Sequence, residues 1–205
     1  MSRIAPLSPE ELPEETRAAL AFAQETMGFT ANDTLTMARW PELLGAMEQL
    51  VATIYGNSEV DLKLKRLVAL VTSSAAGCRY CEAHTAHGAA RQSGADAEKV
   101  AAVWDYASSP LFSDAERAAL DLALAAGQSP NAATDAHFAA MRAHFSERQI
   151  VEIVAMISLF GFLNRWNTTL ATELEDAPLS FARESLGRSG WEADPHALAV
   201  NASRT

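Results

Sequence analysis

Apolar residues along this chain recur at helical spacing, and strong strand signals are absent. In "NSEVDLKLKRLVALVTSSAAG" Leu64, Leu67, Val68 and Val71 fall at i, i+3, i+4 and i+7, one stripe of an amphipathic helix. "LSPEELPEETRAALAFAQETMG" opens on a Ser cap with early acids and ends at Gly28, which reads as a helix. A helical stretch over residues 33–39 follows, and Pro41 suits the first turn of a new helix to about residue 55. Residues 79–92 read as a short helix stopped near Gly94. "DAEKVAAVWDYA", "SDAERAALDLALAAG" and "TDAHFAAMRAHF" are three more, and "SERQIVEIVAMISLFGFLNRWNTTLATELED" is the longest. Its Ser146 and Gln149 have capping-box spacing, and its nearly all-round apolar middle predicts burial. A short last helix near "SFARESLG" precedes a polar tail over about 189–205. No composition break marks a domain boundary, so the pattern predicts one all-α domain over 1–205, with the arm that carries the Cys/His segment and the 146–171 arm as packed layers of a bundle.

Composition narrows the function classes. Hydrophobic residues make up 49% of the 205 and charged residues 20%, a globular balance that can build one sizeable core. The net charge of −10 argues against a nucleic-acid groove or an anionic membrane surface, since both recruit Lys and Arg. No apolar run approaches the ~20 residues of a bilayer span, and the acidic, Pro-rich start has nothing like a secretory h-region. The expectation is a cytoplasmic protein whose two cysteines are reduced or catalytic rather than a structural staple.

Both cysteines lie in "SAAGCRYCEAHTAHGAA", with His84 and His87 behind them. The C-x2-C-x2-H-x2-H spacing suggests zinc, but on one helix each step of three turns by about 300°. The fourth side chain then lies about 180° from the first and about 13.5 Å along the axis. Zinc needs its ligand atoms within ~2.0–2.3 Å of one point, so no zinc is expected. A dithiol fits better: Cys78 at the helix mouth and Cys81 one turn in are neighbours on the surface, near unpaired N–H groups that favour thiolate. His84, three residues beyond Cys81, is a candidate to exchange a proton with it. The bland alternative is two buried cysteines acting as small hydrophobes.

The stretch "LKRLVALVTSSAAGCRYCEAHTAHGAA" resembles the core motif of the AhpD-like, carboxymuconolactone decarboxylase superfamily. "HFSERQIVEIVAMISLFGFLNRWNTTLA" is similar to the second half of its peroxidase-related branch, including the Asn-Arg of "FLNRW". The two cover most of residues 60–172. The resemblance implies an all-helical fold that assembles into homo-oligomers, and thiol-dependent reduction of hydroperoxides. It casts Cys81 as the thiol that attacks the peroxide and Cys78 as the one that resolves it, with an external dithiol or protein reductant to restore both. It also implies a Glu and a His that relay protons, and here the sequence departs from the pattern. Arg66 stands where the Glu is expected, Tyr80 lies between the cysteines, and Thr85 replaces the usual His, with His84 and His87 on either side. Glu59, Asp61 and Glu82 are candidate substitutes for the missing carboxylate.

The site expected from sequence is therefore Cys81, Cys78 and His84, with Tyr80, His87, Glu82, Arg66 and Asn164 as candidate support. Asn164 and Arg165 interrupt an apolar helix, so they either line the site or make buried polar contacts. Trp40, Trp104 and Trp166 read as core or subunit-interface residues, and His137 and His144 as exposed. No feature suggests flavin, haem or nicotinamide, and no cofactor or metal is expected. Two other classes stay open: a helical oligomer that binds a small apolar ligand with little turnover, and a non-redox decarboxylase-like enzyme.

Overall fold

The computed structural model describes residues 2–194 apart from 13, 15, 18–19, 22–24, 26–27, 93–96 and 188–189. Among these residues the chain is helical, with no strand: α1 (Asn32–Met37), α2 (Pro41–Tyr55), α3 (Leu62–Ala75), α4 (Arg79–Gln92), α5 (Ala97–Ala101), α6 (Asp114–Ala126), α7 (Asp135–Arg142), α8 (Glu147–Leu170) and α9 (Asp176–Ser185). The all-α expectation holds. The proposed helix stop at Gly94 and the tail over 189–205 lie largely outside the described residues. The expected helix over 7–28 does so in part, though its Leu12 and Leu20 pack with Met37, Ala38 and Leu44 in a small second cluster.

Caps read from sequence form. Pro41 opens α2, Ser146 with Gln149 closes the expected capping box on α8, and a further one, Ser113 with Glu116, starts α6. Two boundaries differ. "DAEKVAAVWDYA" breaks into α5 and a 3₁₀ turn at Val103–Asp105. The last helix starts at Asp176, upstream of Pro178, because a first-turn residue has no intrahelical N–H bond to lose. His144 is exposed beyond the end of α7, as expected, while His137 is half-buried and closes a capping box with Thr134.

The predicted stripe of α3 is buried, and α3 packs against α4, α6 and α8 at the centre of the fold. Lys65 on α3 is buried too; its ammonium meets Glu152 of α8 at 3.1 Å and donates to the Ile54 carbonyl. Contrary to the expectation that no segment approaches a bilayer span, α8, with its 24 residues and a window of mean hydropathy 1.2, matches one in length and composition. Here Ile150, Ile153, Met156, Leu159 and Phe160 bury it in the core instead. The α4 helix lies between α3, α8 and α9, and the cysteines sit at its start.

Candidate dithiol site

Two turns aim the site. At the end of α3, Gly77 takes a left-handed conformation (φ 69°), open to glycine without strain. Gly77 N–H bonds the Ser74 carbonyl and Cys78 N–H the Ser73 carbonyl, a Schellman closure. The Cys78 carbonyl then accepts from Glu82 N–H, so Cys78 caps α4 and Cys81 stands one turn inside. The end of α8 repeats the device with Ala171 at φ 49°, where Thr172 N–H bonds the Asn167 carbonyl. This reversal brings Glu175, the residue that caps α9, back over α4.

Both thiols are reduced, buried and hydrogen-bonded to one another. They face different spaces. Cys81 lines a cavity of about 180 Å³ with Asp33, Arg66, Tyr80 and His84 and an apolar wall that includes Phe29, Leu159 and Phe160. Cys78 lines a narrow cleft of about 30 Å³ between Gly77, Thr168 and Thr172. The Asn167 amide nitrogen donates to Cys81 Sγ at 3.3 Å and to Asp33 Oδ2 at 3.2 Å, tying thiol to carboxyl. His84 Nε2 meets Glu175 Oε2 at 2.6 Å and the ring stacks on Tyr80, whose hydroxyl donates to Glu175 Oε1 at 2.9 Å. The Asp33 backbone N–H donates to that same hydroxyl at 3.3 Å.

The charges follow from this wiring. Burial would lower His84, but the Glu175 carboxylate overcomes it and raises the imidazole above its ordinary value. Glu175 is lowered in turn, its burial outweighed by His84 and the Asn32 N–H. Burial raises Asp33, which favours the protonated carboxyl. Cys78 is lowered, chiefly by the hydrogen bond from Cys81. Cys81 is raised well above a free thiol by burial and by that same bond. Cys78 is therefore the more acidic of the two thiols, and His84 is engaged by Glu175 instead of Cys81.

The predicted residues divide accordingly. Cys81, Tyr80, His84, His87 and Arg66 line one cavity, with Arg66 over the Tyr55 ring at 4.5 Å and His87 between Phe29 and Phe181. Cys78 touches Cys81 from the other side. Glu82 does not join them: it is buried beneath Arg79 at 2.8 Å, away from the cavity. Glu59 lies exposed and Asp61 caps α3 through Lys63 N–H, so neither replaces the missing carboxylate. Asn164 faces a different cavity, and Asn167 three residues on is the amide that reaches the thiol. Asp33, Asn167 and Glu175 join the site without any motif in the sequence to mark them. Of the tryptophans, Trp40 is exposed, and Trp104 and Trp166 are half-buried. The C-x2-C-x2-H-x2-H side chains part ways, to a partner thiol, to Glu175 and to aromatic rings, and among the described residues no His/Cys/Asp/Glu group has metal-binding geometry.

The sequence profile of the carboxymuconolactone decarboxylase family matches residues 41–125. The uncharacterised protein YnjA of Escherichia coli (strain K12) is 31% identical over 143 residues, 67% of this chain and 78% of its own length. The chain belongs to the carboxymuconolactone decarboxylase family. Its fold is AhpD-like: the alkylhydroperoxidase AhpD core of a peroxidase-related protein from Ralstonia eutropha JMP134 superposes at TM-score 0.74 and 25% identity, over 87% of this chain and 95% of that one. The debrominase Bmp8 superposes at TM-score 0.82 and 34% identity, over 88% of this chain and 96% of that one. A cysteine-to-alanine variant of Bmp8, solved in complex with 2,3,4-tribromopyrrole, superposes equally well.

Proposed function

We propose that this family member is a dithiol-dependent reductase that uses Cys81 and Cys78 as a two-electron donor, with organic hydroperoxides as its substrate class. The observation that carries the reading is the placement of the pair. One thiol lines a cavity that also holds candidate proton donors, and its hydrogen-bonded partner lines a separate cleft. As a hydroperoxide enters, the Cys78 thiolate takes the Cys81 proton and Cys81 Sγ attacks the terminal peroxide oxygen. The O–O bond breaks, leaving Cys81 as sulfenic acid and an alkoxide that takes a proton from Asp33 or from the imidazolium of His84. Asn167 supports the attacking sulfur with its N–H. Cys78 Sγ then displaces hydroxide from the sulfenic sulfur; with the Cys78 proton it leaves as water, and the disulfide remains for an external thiol to reduce. A reducing compartment, the cytoplasm, suits that cycle.

A second reading rests on the Bmp8 likeness and on the aromatic wall of the cavity: reductive debromination of a small ring. The electron count is the same. Ar–Br and two thiols give Ar–H, bromide, a proton and the disulfide, with Asp33 or His84 protonating the ring carbon as Cys81 takes the bromine. One experiment separates the readings. The protein is given dithiothreitol with either cumene hydroperoxide or 2,3,4-tribromopyrrole, and peroxide loss and bromide release are followed in wild type, Cys81→Ser and Cys78→Ser. Peroxide loss that needs both cysteines supports the first reading, and bromide release without peroxide loss replaces it with the second. Neither reaction above the dithiothreitol blank refutes both and leaves ligand binding or non-redox chemistry.

A further inference from the structure

Arg66 brings a permanent positive charge to the wall of the Cys81 cavity. It stands on α3, half-buried, with its guanidinium carbon 4.5 Å from the centroid of the Tyr55 ring, so a second wall residue fixes where the charge sits. Among the described residues that line the cavity it is the only Lys or Arg, and Asp33 is the only carboxyl. The two do not cancel, because burial raises Asp33 toward its protonated form. His84 adds no net charge either, since Glu175 meets its Nε2 at 2.6 Å. Much of the remaining surface is apolar, with Phe29, Val51, Leu159, Phe160 and Leu163. The cavity of about 180 Å³ thus combines a thiol, one fixed cation and apolar walls. That combination suits a molecule with an apolar stem and one anionic end, and the planar guanidinium fork is the shape that pairs with a carboxylate.

We propose that the hydroperoxide reduced at this site carries a carboxylate, which Arg66 holds while the peroxide meets Cys81. The inference rests on the dithiol reading and names its substrate class: a small organic acid with a hydroperoxide on an apolar stem. The chemistry at sulfur is unchanged. Cys81 Sγ takes the terminal peroxide oxygen, the O–O bond breaks, and the alkoxide takes up a proton to leave as the hydroxy acid. Cys81 remains as sulfenic acid, which Cys78 converts to the disulfide with loss of water. Arg66 touches the substrate away from the bonds that change, so it acts on binding and orientation.

The probes are cumene hydroperoxide and its ring-carboxylated analogue, 4-(2-hydroperoxypropan-2-yl)benzoic acid, which share one reacting group and differ by one charge. With dithiothreitol as reductant, the wild type is expected to show a kcat/KM about ten-fold higher for the acid, the worth of one charge-assisted contact. Arg66→Met should remove that preference, mostly through KM, and change kcat/KM for cumene hydroperoxide by less than about two-fold. Arg66→Lys should keep part of it. Binding is read without turnover by calorimetry: 4-isopropylbenzoate should bind the wild type and compete with cumene hydroperoxide, and the uncharged 4-isopropylbenzamide should do neither. The two wild-type measurements stand even if Arg66→Met does not fold. Equal kcat/KM for the two hydroperoxides, equal losses with both in Arg66→Met, or no binding of 4-isopropylbenzoate would overturn the inference and leave the dithiol reading in place. Binding of 4-isopropylbenzoate through Arg66 with neither hydroperoxide reduced would overturn the dithiol reading, and the substrate class with it.

Discussion

Glu175→Gln isolates the carboxylate that the fold places over α4. Glu175 makes a 2.6 Å contact with His84, with side-chain exposures of 10% and 19% respectively, and accepts from the Tyr80 hydroxyl and the Asn32 N–H. Two unit charges about 4 Å apart attract by ~4 kcal/mol at an effective dielectric of ~20, and burial of both works against this. Stranding a buried charge costs ~3–5 kcal/mol, but His84 escapes by releasing its proton. What remains is the loss of charge-assisted hydrogen bonds, each ~1.5–3 kcal/mol, so about 2–3 kcal/mol is expected for the variant. The pH window follows from two opposite shifts. His84 is raised, so its contribution is complete below the unfolded value of about 6.5 and fades as pH rises through the folded one. Glu175 is lowered, so its contribution is complete above 4.5 and fades as pH falls through its folded value. The deficit of Glu175→Gln should be largest between about pH 4.5 and 6.5 and shrink toward pH 9. Urea melts of both proteins across pH 4–9, with m unchanged, read it directly. A deficit equal at pH 5.5 and pH 9, or below about 0.5 kcal/mol at pH 5.5, would show that the pair is not ionised as described.

Ala171→Gly should raise stability by about 0.5–1 kcal/mol in the same melts, because it relieves a left-handed alanine at the end of α8; a loss would mean the turn is not left-handed. Cys81→Ala should delay the rise of thiolate absorbance at 240 nm to higher pH, since the Cys81 bond is the chief cause that lowers Cys78; an unchanged onset refutes the shared proton. Asp33→Asn should slow peroxide reduction by about 10²–10⁴ if Asp33 is the proton donor to the leaving oxygen, while diamide still forms the disulfide; an unaltered rate assigns that proton to His84. The chain should sediment above 22.0 kDa. The apolar excess of α1, α2 and α8 gathers in one groove of about 600 Å³ with Trp40 and Phe162 on its surface, and Trp40→Asp should shift the mass toward the monomer. A 22.0 kDa wild type refutes this.

The fold is legible in the sequence because it is written in local terms. The stripe of Leu64, Leu67, Val68 and Val71, the capping boxes at Ser113 and Ser146 and the Pro41 start each involve residues within two turns of one another. The thiol pair is legible for the same reason, since three residues on one helix fix its geometry. The rest of the site is assembled from a distance. Asp33 comes from α1, Asn167 from the end of α8 and Glu175 from the cap of α9, and the turns at Gly77 and Ala171 are part of what brings them together. One signal does exist: "NRWN" carries a second asparagine one turn after Asn164, about 60° round and about 4.5 Å along the helix. That offset sends Asn167 to the thiol and Asn164 to the opposite cavity.

The displaced acidity of the pair has a consequence for how such a site avoids wasting its thiols. A thiolate held in the open would react with any passing electrophile, since nucleophilic attack needs both charge and access. Here the two are separated. Cys78 is the more acidic thiol but faces a cleft of about 30 Å³, while Cys81, raised by burial, faces the roomier cavity. In the proposed cycle one proton crosses the hydrogen bond between the thiols to arm Cys81, and Asn167, Asp33 and His84 are the groups placed beside it to support the shift. The proposed cycle uses no carboxylate at Arg66: in it Cys78 takes the Cys81 proton and α1 and α4 supply the acid, while Arg66 packs on Tyr55 as part of the cavity wall.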